Sequence, residues 1–498
     1  MASDYTRIRE DNIREYGEGT RHLAFLGGQL YAERTHFLFE LLQNAEDAGA
    51  RKVCFRLFHD RLEVLHDGRP FNEQDVRGIC GIGEGTKAHD LTQIGKFGIG
   101  FKSVYAYTSR PEVPSGDEHF SITDYVRPYP APPREPGSPW TTLFIFPFDR
   151  DDVAPNQAFQ ELKHRLETLH FRTLLFLRNI TDLRWNIEGA RTQANCLRYV
   201  KQTPSGRRVT IWGQGAEQEE EWLVFERPVP VPDGQTLVKV EVAFRLDRNK
   251  ETGQEQIVRI NDAYLVAFFP TEKETHLGFL IQGPYRTTPA RDNIPKDDEW
   301  NRQLIRETAT LVTQTLPALR DTGLLTISLL EALPIRSADF PIDSMFRPLF
   351  EQVRAALRDQ PLLPTHDGQF VPARHARLAR GAELLSLLSP QQLGELLGRN
   401  KPIYWLSGEI TANRTPDLYG YLLEQRSFWS GDGHGAKTPV EEMEIRPETV
   451  MRIITDQFIA PTSLPQKEQQ CSQLSSAPSQ RTRKPMPSWF ILASVSQT

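Results

Sequence analysis

The stretch FELLQNAEDAGA at residues 39–50 constrains the chain most, because it has the apolar spacing of a packed helix and still carries a line of polar side chains. Glu40, Asn44 and Asp47 are spaced i, i+4 and i+7, so all three lie on one face of the predicted helix. Apolar residues flank that face on both sides. Such a line is either a seam exposed to water or a row of groups directed at a ligand, and the helix alone does not decide between them.

Length and charge limit the classes of protein to which the chain can belong. Its 498 residues exceed what one hydrophobic core holds, so several domains are expected. The net charge of -6 argues against a strongly basic nucleic-acid scaffold, although it leaves a local basic groove open. No apolar run approaches the roughly 18 residues of a membrane span, and the charged start MASDYTRIREDNIREYG is unlike a signal peptide. We therefore expect a cytoplasmic protein without a membrane partner.

Cysteine and histidine spacing argues against a structural metal or a disulfide framework. The chain has four cysteines, Cys54, Cys80, Cys196 and Cys471. They are too scattered for a zinc pair and too few for a disulfide scaffold, so isolated thiols are expected. The histidines His36, His59 and His66 are equally scattered, and we interpret them as structural.

Two further stretches follow the polar helix. The first, LHDGRPF at residues 65–71, ends the second strand of a predicted hairpin with Asp67. The second, IGKFGIGFKSV at residues 94–104, is a glycine-rich turn that leads into an apparent helix. It is not a Rossmann fingerprint, and the chain has no Walker-type G-x4-G-K-[ST] sequence.

These three stretches contain the groups that bind and hydrolyse a nucleoside triphosphate. Its Mg²⁺ requires an oxygen ligand, which an amide or a carboxylate provides. Hydrolysis requires a carboxylate that orients and deprotonates water. A glycine-rich turn before a helix offers backbone N–H groups to phosphate oxygens. An acid at a strand end can accept the amino hydrogen of adenine, so the order of the stretches predicts an ATP site.

The same order of motifs resembles the GHKL ATPase superfamily, which includes gyrase B, the large heat-shock chaperones, histidine kinases and MutL. ELLQNAEDA resembles the N-box, HDGRPF the box with the adenine-binding aspartate, and IGKFGIGFKSV the glycine box. TTLFIF occupies the place of the last box, where Thr141 replaces the usual glycine and only Thr142 carries over. The sacsin N-terminal type is the most similar, because DGRPF, FGIGFKSVY and LLFLRNI all fit it.

The resemblance implies a role for each matching residue. Glu40 would be the general base, Asn44 would bind Mg²⁺, and Asp47 would line the nucleotide site. Asp67 would bind the adenine. The other implied nucleotide contacts are Gly95, Gly98, Gly100, Lys102 and Thr142. Of these, Lys102 is interpreted either as a phosphate contact or as a surface lysine.

Two further features complete the implied site. GIGEGTKAHD at residues 81–90 would be the lid over the nucleotide. In GPYRTTPARDNIP at residues 283–295, Arg291 would stabilise the charge of the γ-phosphate, and we prefer it to Arg286.

The expected fold class is α+β, in four regions. A Bergerat-type ATP-binding α/β sandwich would occupy residues 1–165, and a β-rich, transducer-like middle domain 166–320. A Leu-rich, mainly helical domain would follow over 321–430, and a partly helical, then disordered tail over 431–498. The six prolines of residues 125–140 predict a loop within the first region.

The implied function is ATP binding and Mg²⁺-dependent hydrolysis that drives a conformational change, with lid closure and homodimerisation, in a sacsin-like or chaperone-like ATPase. Its cofactors would be ATP and Mg²⁺, and its partner a protein client. Glu40 favours hydrolysis, because histidine kinases usually carry an amide there. Two alternatives stay open: a nucleotide-gated regulatory module, such as a stress or defence sensor, with negligible hydrolysis, and a DNA-processing ATPase of the gyrase or MutL kind. Nucleic acid thus stays open as a partner.

Overall fold

The computed structural model describes nine stretches of the chain. They are residues 2–19, 34–82, 100–190, 193–204, 206–213, 218–232, 236–288, 294–425 and 443–455. The chain divides into two compact units. The first comprises residues 1–334 and 338–353, and the second begins with 335–337 and continues from 354. The boundary predicted near residue 165 lies inside the first unit.

The first unit is built on one large mixed sheet, which contains fifteen strands in the described part of the chain. The strands are β1 (Lys52–Leu57), β2 (Arg61–His66), β3 (Glu112–Ser115), β4 (Glu118–Thr123), β5 (Arg127–Pro130), β6 (Thr142–Pro147), β7 (Asp182–Ile187), β8 (Ala194–Thr203), β9 (Gly206–Gly213), β10 (Gln218–Pro230), β11 (Leu237–Arg248), β12 (Glu255–Val258), β13 (Tyr264–Ala267), β14 (Phe269–Glu274) and β15 (Leu280–Gln282). Their order is β14-β13-β15-β11-β10-β9-β8-β7-β1-β2-β6-β3-β4-β5, and β12 pairs with β11.

Helices accompany this sheet, so the fold is α+β with a mixed sheet. They are α1 (Tyr5–Tyr16), α2 (Phe37–Asp47), α3 (Glu73–Cys80), α4 (Pro155–Glu167), α5 (Glu299–Asp321) and α6 (Ile327–Ala332). Helix α7 (Arg347–Asp359) runs from the first unit into the second. Helix α5 packs against β10 and β11. None of the helices in the described stretches is long and apolar enough to cross a membrane.

Strand β1 connects the two predicted regions of the sheet. It pairs antiparallel with β2 on one side and parallel with β7 on the other. The polar-helix region and the β-rich block therefore share one continuous sheet. Parallel pairing requires a long crossover connection, and here the connection between β1 and β7 includes β2 to β6 and helix α4.

The helix with the polar line, the hairpin and the β-rich block that the sequence predicts are confirmed. The helix is α2, which follows a short 3₁₀ turn, and the hairpin is β1–β2. The β-rich block contains the long strands β9 to β11.

The prediction of a loop over residues 125–140 is wrong at its start. Strand β5 lies there, and Pro128 and Pro130 pair with Ile122 and Phe120 of β4. Prolines are tolerated because, among the described strands, β5 is the last of the sheet, and one side of its backbone pairs with none of them. The proline count therefore indicated an edge strand followed by a loop.

The second unit contains short helices around a leucine-rich core. Its elements are α8 (Ala382–Leu387), α9 (Pro390–Leu396), α10 (Pro416–Glu424), α11 (Pro447–Ile454), β16 (Leu363–Pro364), β17 (Phe370–Val371), β18 (Ala376–Ala379), β19 (Tyr404–Trp405) and β20 (Glu444–Ile445). Leu393, Trp405 and Ile445 are among the buried residues of its core. The tail predicted to be disordered lies outside the described residues.

Candidate functional site

Helix α2 is enclosed on every side except the polar line. Among its buried residues are Leu38, Leu41, Leu42, Ala45 and the acidic Glu46, which lie around the rest of the helix circumference. Glu40, Asn44 and Asp47 are only partly buried. A seam on a water-exposed helix would leave these side chains open, whereas they lie in a narrow, partly accessible strip of a buried helix. This placement fits groups that contact a ligand.

Glu40 heads the polar line. Its side chain retains 12% exposure, and its Oε1 lies 3.9 Å from Nε2 of His36. The residue before it, Phe39, is buried and packs on Phe269 with ring centroids 5.3 Å apart. The helix is thus packed beside Glu40, and the carboxylate itself is still reachable by water.

The end of α2 is joined to the loop after β2. The amide of Arg69 donates to the carbonyl of Ala48 at 2.9 Å. Gly68 passes so close to the helix end that a Cβ there would lie 2.8 Å from the carbonyl oxygen of Ala48 and 3.1 Å from the amide nitrogen of Ala50. The glycine is therefore needed for close approach, and it brings the end of the polar line next to the end of β2.

We expect Gly68→Ala to lower the free energy of unfolding by about 1–3 kcal/mol, because the added methyl group must displace backbone atoms. Chemical denaturation of the variant measures the change. The matched control is Gly78→Ala in α3, where a Cβ meets no atom within 4 Å. Alanine is the better helix former by roughly 0.5–1 kcal/mol, so the control should be at least as stable as wild type. Equal losses in both variants would contradict the close approach at Gly68.

Asp67 uses its carboxylate on the protein backbone. Oδ1 accepts hydrogen bonds from the amides of Arg51 and Lys52, each at 2.7 Å. The amide of Asp67 donates to the carbonyl of Lys52 at 3.3 Å. In this arrangement Asp67 fixes the start of β1. The predicted contact of Asp67 with adenine stays a prediction.

His66, one residue earlier, is the buried polar group at the end of β2. It is 1% exposed, and its Nδ1 accepts a hydrogen bond from the amide of Gly68 at 3.2 Å. Burial lowers the pKa of His66 to about 4, so the ring is neutral near pH 7. The sequence offered only its position beside an aspartate, and scattered spacing led us to interpret it as structural.

Thr142 lies directly across from His66 in the antiparallel register of β2 and β6. Its hydroxyl is 2.6 Å from that of Ser115, which accepts a hydrogen bond from the amide of Phe71. The neighbouring Thr141 donates from its amide and its hydroxyl to the carbonyl of His66. The threonine that replaces the expected glycine therefore fastens the end of β2 to β6.

Lys102 is fully buried in the structure. Its Nζ donates to the carbonyls of Ile79 and Tyr125, each at 2.6 Å. Ile79 lies in the last turn of α3, where a cation complements the helix dipole. Burial lowers the pKa of Lys102 to about 8. It is not a surface lysine, and a phosphate contact would require it to exchange one of its two carbonyls.

Glu46 is a residue of the site region that sequence reasoning missed. It is 3% exposed, and its carboxylate accepts hydrogen bonds from the amides of Arg178, Asn179 and Ile180 at 2.5, 2.8 and 2.9 Å. This segment immediately precedes β7. The one local signal was an acid on a helix face that the apolar spacing assigns to the core.

Arg198 of β8 bonds the carbonyls of the same segment. Its guanidinium donates to the carbonyls of Leu177, Arg178 and Ile180, the last two at 3.0 and 3.1 Å. Burial lowers the pKa of Arg198 to about 10, and the charge of Glu46 opposes that shift. Residues 177–180 are therefore held between a carboxylate from α2 and a guanidinium from the β-rich block. We call these contacts the Glu46–Arg198 clamp.

Several predicted residues cannot be placed beside these. Gly95, Gly98 and Arg291 lie outside the described residues, as does most of the predicted lid. Gly100 begins a 3₁₀ helix, Gly100–Ala106, that contacts α2. The structure therefore brings together the α2 line, the end of β2 and the start of β6.

Comparison with known proteins gives a local match. Residues 58–130 match the family model described as the Sacsin domain. The chain is 39% identical over 111 residues to sacsin of Homo sapiens, covering 19% of this chain and 2% of sacsin. It is 26% identical over 325 residues to Protein NO VEIN of Arabidopsis thaliana, covering 59% of this chain and 12% of that protein. The chain thus matches only a small part of the length of either relative.

A solved structure described as the N terminal domain of a DNA repair protein aligns at 12% identity and a TM-score of 0.34, covering 54% of this chain and 91% of that one.

The range of the family match begins after α2 and ends before Thr142, and it contains β2, α3 and β3 to β5. The chain is therefore sacsin-like over residues 58–130.

Proposed function

We propose that the first unit binds ATP and hydrolyses it with Mg²⁺, as a GHKL-type ATPase of sacsin-like or chaperone-like character with a Bergerat-type site. The observation that carries this proposal is the partly accessible polar line of α2, which ends beside the strand ends of β2 and β6. The sacsin-like match over residues 58–130 supports it.

The line offers each group that hydrolysis needs from the protein. Glu40 is a partly exposed carboxylate that can deprotonate water. Asn44, one turn along, offers an amide oxygen to Mg²⁺, which commonly takes one or two protein ligands and completes its shell with phosphate oxygens and water. Asp47 would line the same strip. The predicted phosphate contacts of Gly95, Gly98 and Gly100 and the charge of Arg291 complete the proposal.

The Glu46–Arg198 clamp gives a route from the site to the β-rich block. A displacement of α2 on nucleotide binding must move residues 178–180 or break three hydrogen bonds. We propose that hydrolysis drives a conformational change by this route. We propose that this change leads to homodimerisation and acts on a protein client. The β-rich block would have the transducer-like role.

The experiment is a measurement of nucleotide affinity with and without Mg²⁺, using the whole chain and a non-hydrolysable ATP analogue. Wild type should bind more tightly with Mg²⁺. Asn44→Ala should weaken that Mg²⁺-supported binding by at least about tenfold, since even the outer-shell partners of a metal contribute that much. The control is Asn249→Ala, in the turn between β11 and β12, which should behave as wild type. No detectable binding by wild type would refute the proposed function.

A further inference from the structure

Three polar side chains form a row across the end of the sheet. His66 of β2 pairs with Thr142 of β6, and Thr142 pairs with Ser115 of β3. All three are buried, with exposures of 1%, 0% and 0%. Residues two apart on one strand share a face of the sheet, and the next residues inward on this face are Val64 and Phe144, which pair with each other.

This face of the sheet is the one that α2 covers. Phe146, two positions beyond Phe144 on β6, packs on Phe37 of α2 with ring centroids 6.1 Å apart. His66 itself lies 6.1 Å from the ring of Phe144. The polar row is therefore the end of an apolar layer between the sheet and the helix that carries the polar line.

Asp67 does not belong to this row. Successive side chains of a strand point to opposite faces, and the carboxylate of Asp67 bonds the amides of Arg51 and Lys52 instead. Of the two adjacent polar residues His66 and Asp67, the histidine is the one on the α2 face.

The hydrogen bond of His66 defines what the ring can offer. Nδ1 accepts from the amide of Gly68, so it carries no proton, and the proton of the neutral ring is on Nε2. No described residue bonds Nε2. The row thus presents the N–H donor of a buried ring, and that donor has no protein partner in the described stretches.

We propose that His66, beside Thr142, donates a hydrogen bond from Nε2 to the base of the bound nucleotide. The site then selects an acceptor on the purine edge and does not select the exocyclic amine of adenine. This inference rests on the proposed nucleotide site. It predicts that a 6-oxopurine is accepted at least as well as adenine. A donor facing an amine leaves both groups unpaired, which costs affinity.

The test compares the affinities of the whole chain for ATP and ITP with Mg²⁺, by competition with a fluorescent nucleotide. Adenine and hypoxanthine differ in the amine or oxo group at position 6 and in the proton on N1. Wild type should bind ITP at least as tightly as ATP. His66→Asp places an acceptor in the row and should shift the ratio toward ATP by about tenfold, as expected for one mismatched polar pair. Glu73→Gln, at an exposed carboxylate of α3 outside the row, is the control and should leave the ratio as in wild type. Asp67→Asn tests the competing assignment, in which Asp67 contacts the base.

A second variant covers failure of His66→Asp to fold, which thermal denaturation would reveal. His66→Leu removes the donor without adding charge, and it should lose affinity for ITP more than for ATP. An unchanged ratio in the folded variants, or a ratio that changes with Asp67→Asn instead, would overturn the inference and leave the nucleotide site intact. If wild type bound neither nucleotide, the proposed function itself would fall, and the inference with it.

Discussion

Glu46→Ala should lower the free energy of unfolding of the first unit by about 3–5 kcal/mol, the range for breaking a buried charged network. The carboxylate accepts three backbone hydrogen bonds from residues 178–180, and alanine leaves these donors unpaired, the buried amide of Ile180 among them. It also removes the larger of the two carboxylate charges that act on Arg198, the other being that of Glu241. Glu46→Gln keeps one acceptor oxygen and should lose about half as much.

Two measurements test this prediction. Chemical denaturation reports the stability of the unit, and hydrogen exchange reports whether the amides of residues 178–180 lose protection. Glu167→Ala is the control, because its side chain at the end of α4 is 52% exposed and its ion pair with Lys163 spans 3.9 Å. Such a pair contributes no more than about 1 kcal/mol. If Glu46→Ala were as stable as this control and kept its amide protection, the clamp would not hold the segment.

Local spacing was enough to predict much of the site. The polar line of α2 and the β1–β2 hairpin depend on periodicities of 3.6 and 2 residues, which act within a few turns or one strand pair. The structure adds why a glycine follows β2 at position 68, since only the packed helix end shows the close approach to Ala48.

Long-range pairing could not be predicted in this way. Glu46 bonds residues 132 to 134 positions away. The parallel pairing of β1 with β7 joins segments that no local pattern relates. Lys102 looked like a phosphate or surface residue, because the carbonyls that bury it come from α3 and from Tyr125, each 23 positions away along the chain.

The choice between His66 and Asp67 shows a further limit. A shift of one residue moves a side chain to the opposite face of a sheet, so the two neighbours cannot be assigned from the sequence HD alone. The register with β6 decides it, because Thr142 pairs with His66. The chemistry of adenine binding favoured Asp67, whereas the strand geometry places His66 on the α2 face.

Glu40→Gln should reduce the rate of Mg²⁺-dependent phosphate release by about 10²–10⁴, the usual contribution of a general base. The amide keeps the shape of the carboxylate and can still orient a water molecule, but it cannot accept the proton. Affinity for ATP should change by less than about threefold, because the lost interaction acts mainly in the transition state. Phosphate release and nucleotide binding are measured separately on the same preparations.

The comparison of rate with affinity separates the functions that the sequence left open. Glu73→Gln in α3, an exposed carboxylate paired with Arg77, is the control and should release phosphate at the wild-type rate. A rate that falls in Glu40→Gln alone, with binding retained, requires Glu40 to act on the attacking water. If wild type binds ATP but releases phosphate no faster than Glu40→Gln, the polar line holds the nucleotide without hydrolysing it. The chain would then be a nucleotide-gated module, because a carboxylate that deprotonates no water contributes only to binding.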